Sequence, residues 1–336
     1  MSLEWLLEDV FSNLDRGFLL ESKTRQQFVE YFNAIIEEFR IKNNKGNGQT
    51  ECKLVLQSTI AFHDKSKVKN NGLCLFGKYH NILYVAAKLC FIWNLEDTEV
   101  ISTLLTRIYE CENTFEKFFE CAIFGTKVTQ LISGWRSDYK THNENLKASV
   151  YFLKHAIKGK LMFKRENKIY NFVDIPMNCY ENLSPLKTAV KAEKWDLVVL
   201  LIKYGAIAYL PFFDDDYEKY SIFKLFIKKL QIYDTDSYYY KNKINIVESL
   251  KIFIRSIPII SAIWTKENDD EENTLPNLSH FLATFGINNV DEPRTLKHLS
   301  RCAVRNYLAK NHQLPADTSY LMIPKVLIRY LNLEID

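Results

Sequence analysis

Apolar residues recur along this chain at helical rather than strand spacing. Trp5, Leu6 and Val10 share one face of a helix, and Phe28, Phe32, Ile35, Ile36 and Phe39 share one face of a second. Residues 43–50 are polar and carry Gly46 and Gly48, so a connecting loop is expected there; no Lys-Ser/Thr follows the glycines, which excludes a phosphate cradle. The same spacing returns at 82–93, 99–109 and 115–124, and helices are also expected within 115–135, 146–161 and 221–257. An all-α fold follows from this pattern. The stretch 265–277 breaks it, with Glu267, Asp269, Asp270, Glu271, Glu272 and then Pro276, and reads as a solvated linker.

Composition narrows the setting. Of 336 residues, 47% are hydrophobic and 25% charged, the profile of a folded, water-soluble chain. Acidic residues interrupt the first twenty positions, and no stretch reaches the roughly 18 uncharged apolar residues of a membrane span. The seven cysteines are scattered and never form a CxxC pair, which fits reduced thiols in cytosol or nucleus. A net charge of +3 gives no electrostatic case for nucleic acid, and the cluster Lys65, Lys67 and Lys69 reads as a solvated loop.

Residues 182–206 carry a recognisable order of signals. Ser184 is placed to cap a helix that Pro185 opens, Ala189 allows close helix approach, and Leu197, Val198, Leu200 and Leu201 make the apolar stripe of a second helix. Gly205 falls where a left-handed C-terminal cap is wanted. The segment resembles one ankyrin repeat, with Ser184-Pro185-Leu186 in place of Thr-Pro-Leu, Lys187 where His is usual and Lys194-Trp195 where the turn normally holds Gly. Asn81–Ala87 followed by Glu99–Leu105 has the same rhythm, in degenerate form. A single repeat cannot bury its faces, so a stack completed by the other helices is expected.

At the C-terminus, Pro293 opens a helix in which Leu296, Leu299, Ala303, Val304 and Tyr307 make an apolar face. This segment resembles the elongin-binding half of a SOCS box: Thr295, Leu296 and Val304 match its pattern, while Ser300 stands at the Cys position and Cys302 lies out of register. Further on, Leu321, Ile323, Pro324, Leu327, Tyr330 and Leu331 resemble the cullin-contacting half, with Met322 at the first proline of that pattern. Both halves, following an ankyrin-like region, resemble the ankyrin-repeat and SOCS-box family.

That resemblance implies a degenerate ankyrin-type helical stack followed by a three-helix SOCS box, divided as N-terminal helices 1–50, helical domain 51–264, linker 265–290 and SOCS box 291–336. It implies a non-catalytic adaptor of a ubiquitin ligase. Thr295, Leu296, Leu299, Ser300, Ala303 and Val304 would meet elongin C, which is paired with elongin B. Ile323, Pro324, Leu327, Tyr330 and Leu331 would meet cullin-5 with its RING partner. Tyr180, Glu181, Lys187 and Lys191 would face an unknown target protein. The rival reading is an ankyrin scaffold whose SOCS-like tail packs on itself and recruits no ligase.

No hydrolase, kinase or nucleotide-binding signature occurs, and no histidine pairs with a second ligand at metal spacing, so neither catalysis nor a cofactor or metal is expected. His155 and His280 read as structural, Cys111 and Cys121 as small core residues, and the tyrosine run Tyr238–Tyr240 as surface packing.

Overall fold

Helix formers and apolar stripes dictate the architecture of the computed structural model, which describes residues 3–12, 21–42, 46–74, 79–207, 222–234, 240–258, 283 and 294–336. The chain divides into two units, 1–181 and 182–336. The division falls inside the 51–264 segment read from the sequence as one domain. The expected linker lies outside the described residues save Ala283.

The first unit contains α1 (Leu3–Ser12), α2 (Ser22–Lys42), α3 (Gln49–Lys69), α4 (Ile82–Ile92), α5 (Thr98–Glu112), α6 (Glu116–Phe124), α7 (Thr126–Ser133) and α8 (His142–Lys158). Helix α4 is mostly apolar and buried from Ile82 to Cys90, so it is the element the others wrap: α2, α3 and α5 all pack on it. The helix expected at 115–124 is α6, and Gly125, with φ of +78°, turns the chain between α6 and α7. Helix α5 ends at Asn113 in the left-handed conformation and begins at Asp97, whose carboxylate accepts from the Val100 N–H.

An aromatic cluster closes the far side of this unit. Phe115 lies 4.4 Å from Phe172 and 4.9 Å from Phe163 between ring centroids, and Phe118 lies 4.5 Å from Phe152. Phe163 belongs to β1 (Met162–Arg165), which pairs antiparallel with β2 (Lys168–Asn171) through a two-residue turn at Glu166-Asn167. The described elements are otherwise helical, as the all-α expectation has it, and this short hairpin is an addition to it; Glu166 takes a positive φ to make the turn.

A correction concerns the histidines. His63 on α3, Cys74 after it, His80 before α4 and Cys111 near the end of α5 converge, with one ligand atom from each within 4.8 Å of all the others. Cys111 is therefore no isolated core thiol. The residues meet only through the packing of α3, α4 and α5, which local spacing does not reveal.

The second unit opens with α9 (Pro185–Lys191) and α10 (Trp195–Lys203), the pair that resembles an ankyrin repeat. Ser184 Oγ accepts from the Lys187 N–H, and Pro185 occupies the first turn, as the sequence predicts. Leu197, Val198 and Leu201 are fully buried, and Leu200 is half-buried. Gly205 adopts φ +84°, and the Ala206 N–H reaches back to the Leu201 carbonyl. The turn between the helices is closed by Glu193 in the left-handed region, just before Lys194-Trp195; that conformation costs about 1 kcal/mol for a side chain. Helices α11 (Ile222–Asp234) and α12 (Tyr240–Ser256) extend the layer, with Trp195 stacked on Phe226 at 5.6 Å and Phe226 against Phe253 at 5.3 Å. The chain ends with α13 (Leu296–Lys310), a 3-10 turn at Ala316–Tyr320 and α14 (Lys325–Leu331), where three helices are expected.

Candidate functional site

Helix α13 is well started. Thr295 caps it, its hydroxyl accepting from the His298 N–H. The sequence places an apolar stripe at Leu296, Leu299, Ala303, Val304 and Tyr307. The structure turns that stripe outward. Leu296 is 82% exposed, Tyr307 66% and Val304 39%; Ala303, Thr295 and Ser300 are exposed and Leu299 is half-buried.

The opposite face, His298, Arg301, Cys302, Arg305 and Leu308, is the buried one. Its polar groups survive burial because each is bonded. Arg305, 5% exposed, donates to the Leu331 carbonyl at 2.7 Å and to the Ile202 carbonyl at 2.8 Å, so one guanidinium ties the C-terminal turns of α14 and α10 to α13. Those carbonyls sit at the negative ends of helix dipoles, which suits a cation. Burial draws Arg305 down to about 10, which leaves it charged at neutral pH.

Arg301 donates to the Ile335 carbonyl at 3.1 Å and lies over the Tyr330 ring at 4.2 Å. His298 Nε2 donates to the Ile257 carbonyl at 2.7 Å and Nδ1 accepts from Arg301 at 3.0 Å, which fixes the neutral tautomer. Burial first, then the neighbouring arginines, pull its pKa down to about 4 against the opposing Ile257 bond. Arg255 from α12 completes the clamp, meeting Asp336 at 2.6 Å and the Leu333 carbonyl at 3.1 Å.

Gly205 marks how closely α10 approaches this segment. A Cβ there would stand 3.1 Å from Ala309 Cβ and 3.4 Å from a Leu314 methyl. The C-terminal segment is thus part of the second unit's core, held by its polar face.

Residues expected on the cullin side divide. Ile323 is half-buried, and Pro324 and Leu327 are exposed near the start of α14, beside exposed Met322 and Val326. Tyr330 and Leu331 are buried, Tyr330 beneath Arg301 and Lys297, so their place is in the fold rather than on the surface where they were expected. The four residues expected to face a target also divide. Tyr180 is buried in the first unit, stacked on Phe124 at 4.7 Å and donating to Glu120 at 3.0 Å, which removes it from the surface. Glu181 is exposed in that unit, while Lys187 is half-buried and Lys191 exposed in the second.

Residues 292–332 match the SOCS box family. The match covers both exposed patches and the buried arginine face between them. It implies an adaptor role in an elongin B/C–cullin ubiquitin ligase. Comparison with curated proteins and with solved structures gave no match. Among the described residues, no helix is long and apolar enough to cross a membrane.

The buried arginines were missed from the sequence, although a signal exists: 298, 301, 302, 305 and 308 recur at helical spacing as regularly as the apolar set. Cys302 and Leu308 on that set are the clue that this face, too, has something to bury.

Proposed function

We propose that this chain is a non-catalytic substrate-recognition adaptor. Its SOCS box binds elongin C, and with it elongin B, through the outward stripe of Leu296, Leu299, Ala303 and Val304, flanked by Thr295 and Ser300. One observation carries the reading: α13 leaves its apolar face in solvent and spends charged side chains on its packing face. A helix that only needed to dock on its own domain would bury the leucine and expose the arginines. Each leucine buried by a partner contributes about 1.5–3 kcal/mol, so a few such anchors support a specific interface after association costs.

Ile323, Pro324 and Leu327, exposed or half-exposed at the start of α14, are the cullin-facing residues of this reading, and the spacing they keep favours a cullin-5 type with its RING partner. The α9–α10 pair is the ankyrin-type element, extended by α11 and α12. Half-buried Lys187 and exposed Lys191 on this pair face the target protein in this reading. The chain performs no chemical step: holding a target near a charged conjugating enzyme raises the effective concentration of its lysines.

The rival scaffold reading is half satisfied, since the tail does pack on its own unit. It packs, however, through the face the partner does not need. The test is co-purification with elongin B and elongin C, comparing the native chain with Leu296→Asp. Stoichiometric capture that disappears in the variant supports the adaptor; absence of capture by the native chain leaves the scaffold.

A further inference from the structure

Four side chains of the first unit do nothing for the adaptor reading. His63 Nε2 stands 3.4 Å from Cys74 Sγ and 3.7 Å from Cys111 Sγ, and Cys74 Sγ stands 3.4 Å from His80 Nδ1. A tetrahedral ion with metal–sulfur bonds of about 2.3 Å and metal–nitrogen bonds of about 2.0–2.1 Å has ligand–ligand edges of about 3.3–3.8 Å. These three edges fall in that range, and all four ligand atoms lie within 4.8 Å of one another.

The far side of each imidazole gives an independent indication. His63 Nδ1 lies 3.2 Å from Asp64 Oδ1, and His80 Nε2 lies 2.5 Å from Glu112 Oε1. Each carboxylate can accept a hydrogen bond from the outer ring N–H, which leaves the inner nitrogen's lone pair on the side of the two sulfurs. Both carboxylates are themselves held. Arg107 donates to Asp64 at 2.9 Å; Tyr84 and Lys117 donate to Glu112 at 2.9 and 2.7 Å. Carboxylate-oriented histidines of this kind are the usual outer layer of a zinc site.

We propose that His63, Cys74, His80 and Cys111 bind one zinc ion as a closed, structural Cys2His2 site. Sulfur and imidazole donors in a tetrahedral set select zinc among common divalent ions, and hard-oxygen metals such as magnesium or calcium have no ligand here. Binding converts two thiols to thiolates and releases their protons, so the ion and its ligands sum to no net charge, which suits a site whose histidines are only 1% exposed. Four protein ligands leave no open position, so the ion's part is to pin α3 and the loop after it to the entry of α4 and the end of α5. Cys52, Cys90 and Cys121 are more deeply buried than Cys74 and Cys111 but join no such histidine–cysteine group among the described residues, which separates the site from ordinary core thiols.

The test begins with metal analysis of the full chain purified under reducing conditions. About one zinc per chain is expected. After chelation, titration with Co2+ should give intense visible bands and thiolate-to-cobalt absorption in the near ultraviolet. Cys111→Ser should lose both signals, and Cys121→Ser should keep them. Should Cys111→Ser fail to fold, the cobalt spectrum of the native chain decides alone. A folded native chain that holds no zinc and gives no thiolate–cobalt spectrum overturns the proposal, as does a Cys74–Cys111 disulfide found in place of the metal.

Discussion

Helices α10 and α13 lie in the same unit and are amphipathic in opposite senses. Helix α10 buries Leu197, Val198, Leu201 and Ile202 and exposes Asp196, the ordinary arrangement in which apolar burial drives folding. Helix α13 buries His298, Arg301, Cys302 and Arg305 and exposes Leu296, Val304 and Tyr307. The first arrangement needs no partner. The second carries the desolvation of two guanidiniums, offset by bonds to main-chain carbonyls, and keeps apolar area available for another protein. What differs between them is which face serves the fold and which serves recognition.

The comparison can be broken in order of decreasing effect. Leu296→Asp places a charge where a leucine would be desolvated, so elongin affinity should fall by about 4 kcal/mol or more, roughly a thousandfold, in a calorimetric titration, with little change in melting temperature. Arg305→Met removes two charge-assisted bonds, to the Leu331 and Ile202 carbonyls, and should destabilise the second unit by about 3 kcal/mol, read by chemical denaturation.

Gly205→Ala should cost about 2 kcal/mol, because φ +84° disfavours a side chain and its methyl would stand 3.1 Å from Ala309 Cβ. The smallest effect is on pH dependence. His298 is neutral in the fold with its pKa drawn down to about 4, below the roughly 6.5 of an unfolded histidine. As pH falls the unfolded chain takes the proton first. The stability is therefore present above about pH 6.5 and is lost as pH falls toward 4, by about 1–2 kcal/mol. His298→Gln should flatten that slope. His155 in the first unit, also lowered to about 4 by burial, contributes a slope of the same sign.

Much of this was legible in the chain. The Ser184 and Pro185 helix start, the Gly205 cap and the stripe of α10 follow local rules, and the structure realises each. Leu296 and its apolar neighbours were found because they share a helical face, but periodicity says only that a face is apolar, not whether its own fold or a partner covers it. Tyr330 and Leu331 were misplaced for that reason: they match the cullin-side spacing, yet Arg301 and Lys297 cover the Tyr330 ring. The histidine–cysteine cluster was invisible because its members come from α3, the loop after it, the entry of α4 and α5, and meet only when the helices pack. The hairpin at Met162–Asn171 was missed because its strands are short and only Phe163 is buried along them.

The most direct test measures two quantities on the same proteins: affinity for elongin B/C and melting temperature, for the native chain, Leu296→Asp and Arg305→Met. The account predicts that Leu296→Asp loses binding and keeps the native melting temperature, while the Arg305→Met chain melts earlier and still binds at temperatures where it is folded. If Leu296→Asp melts early and binds as tightly as the native chain, the outward stripe belongs to the fold and the adaptor account is contradicted.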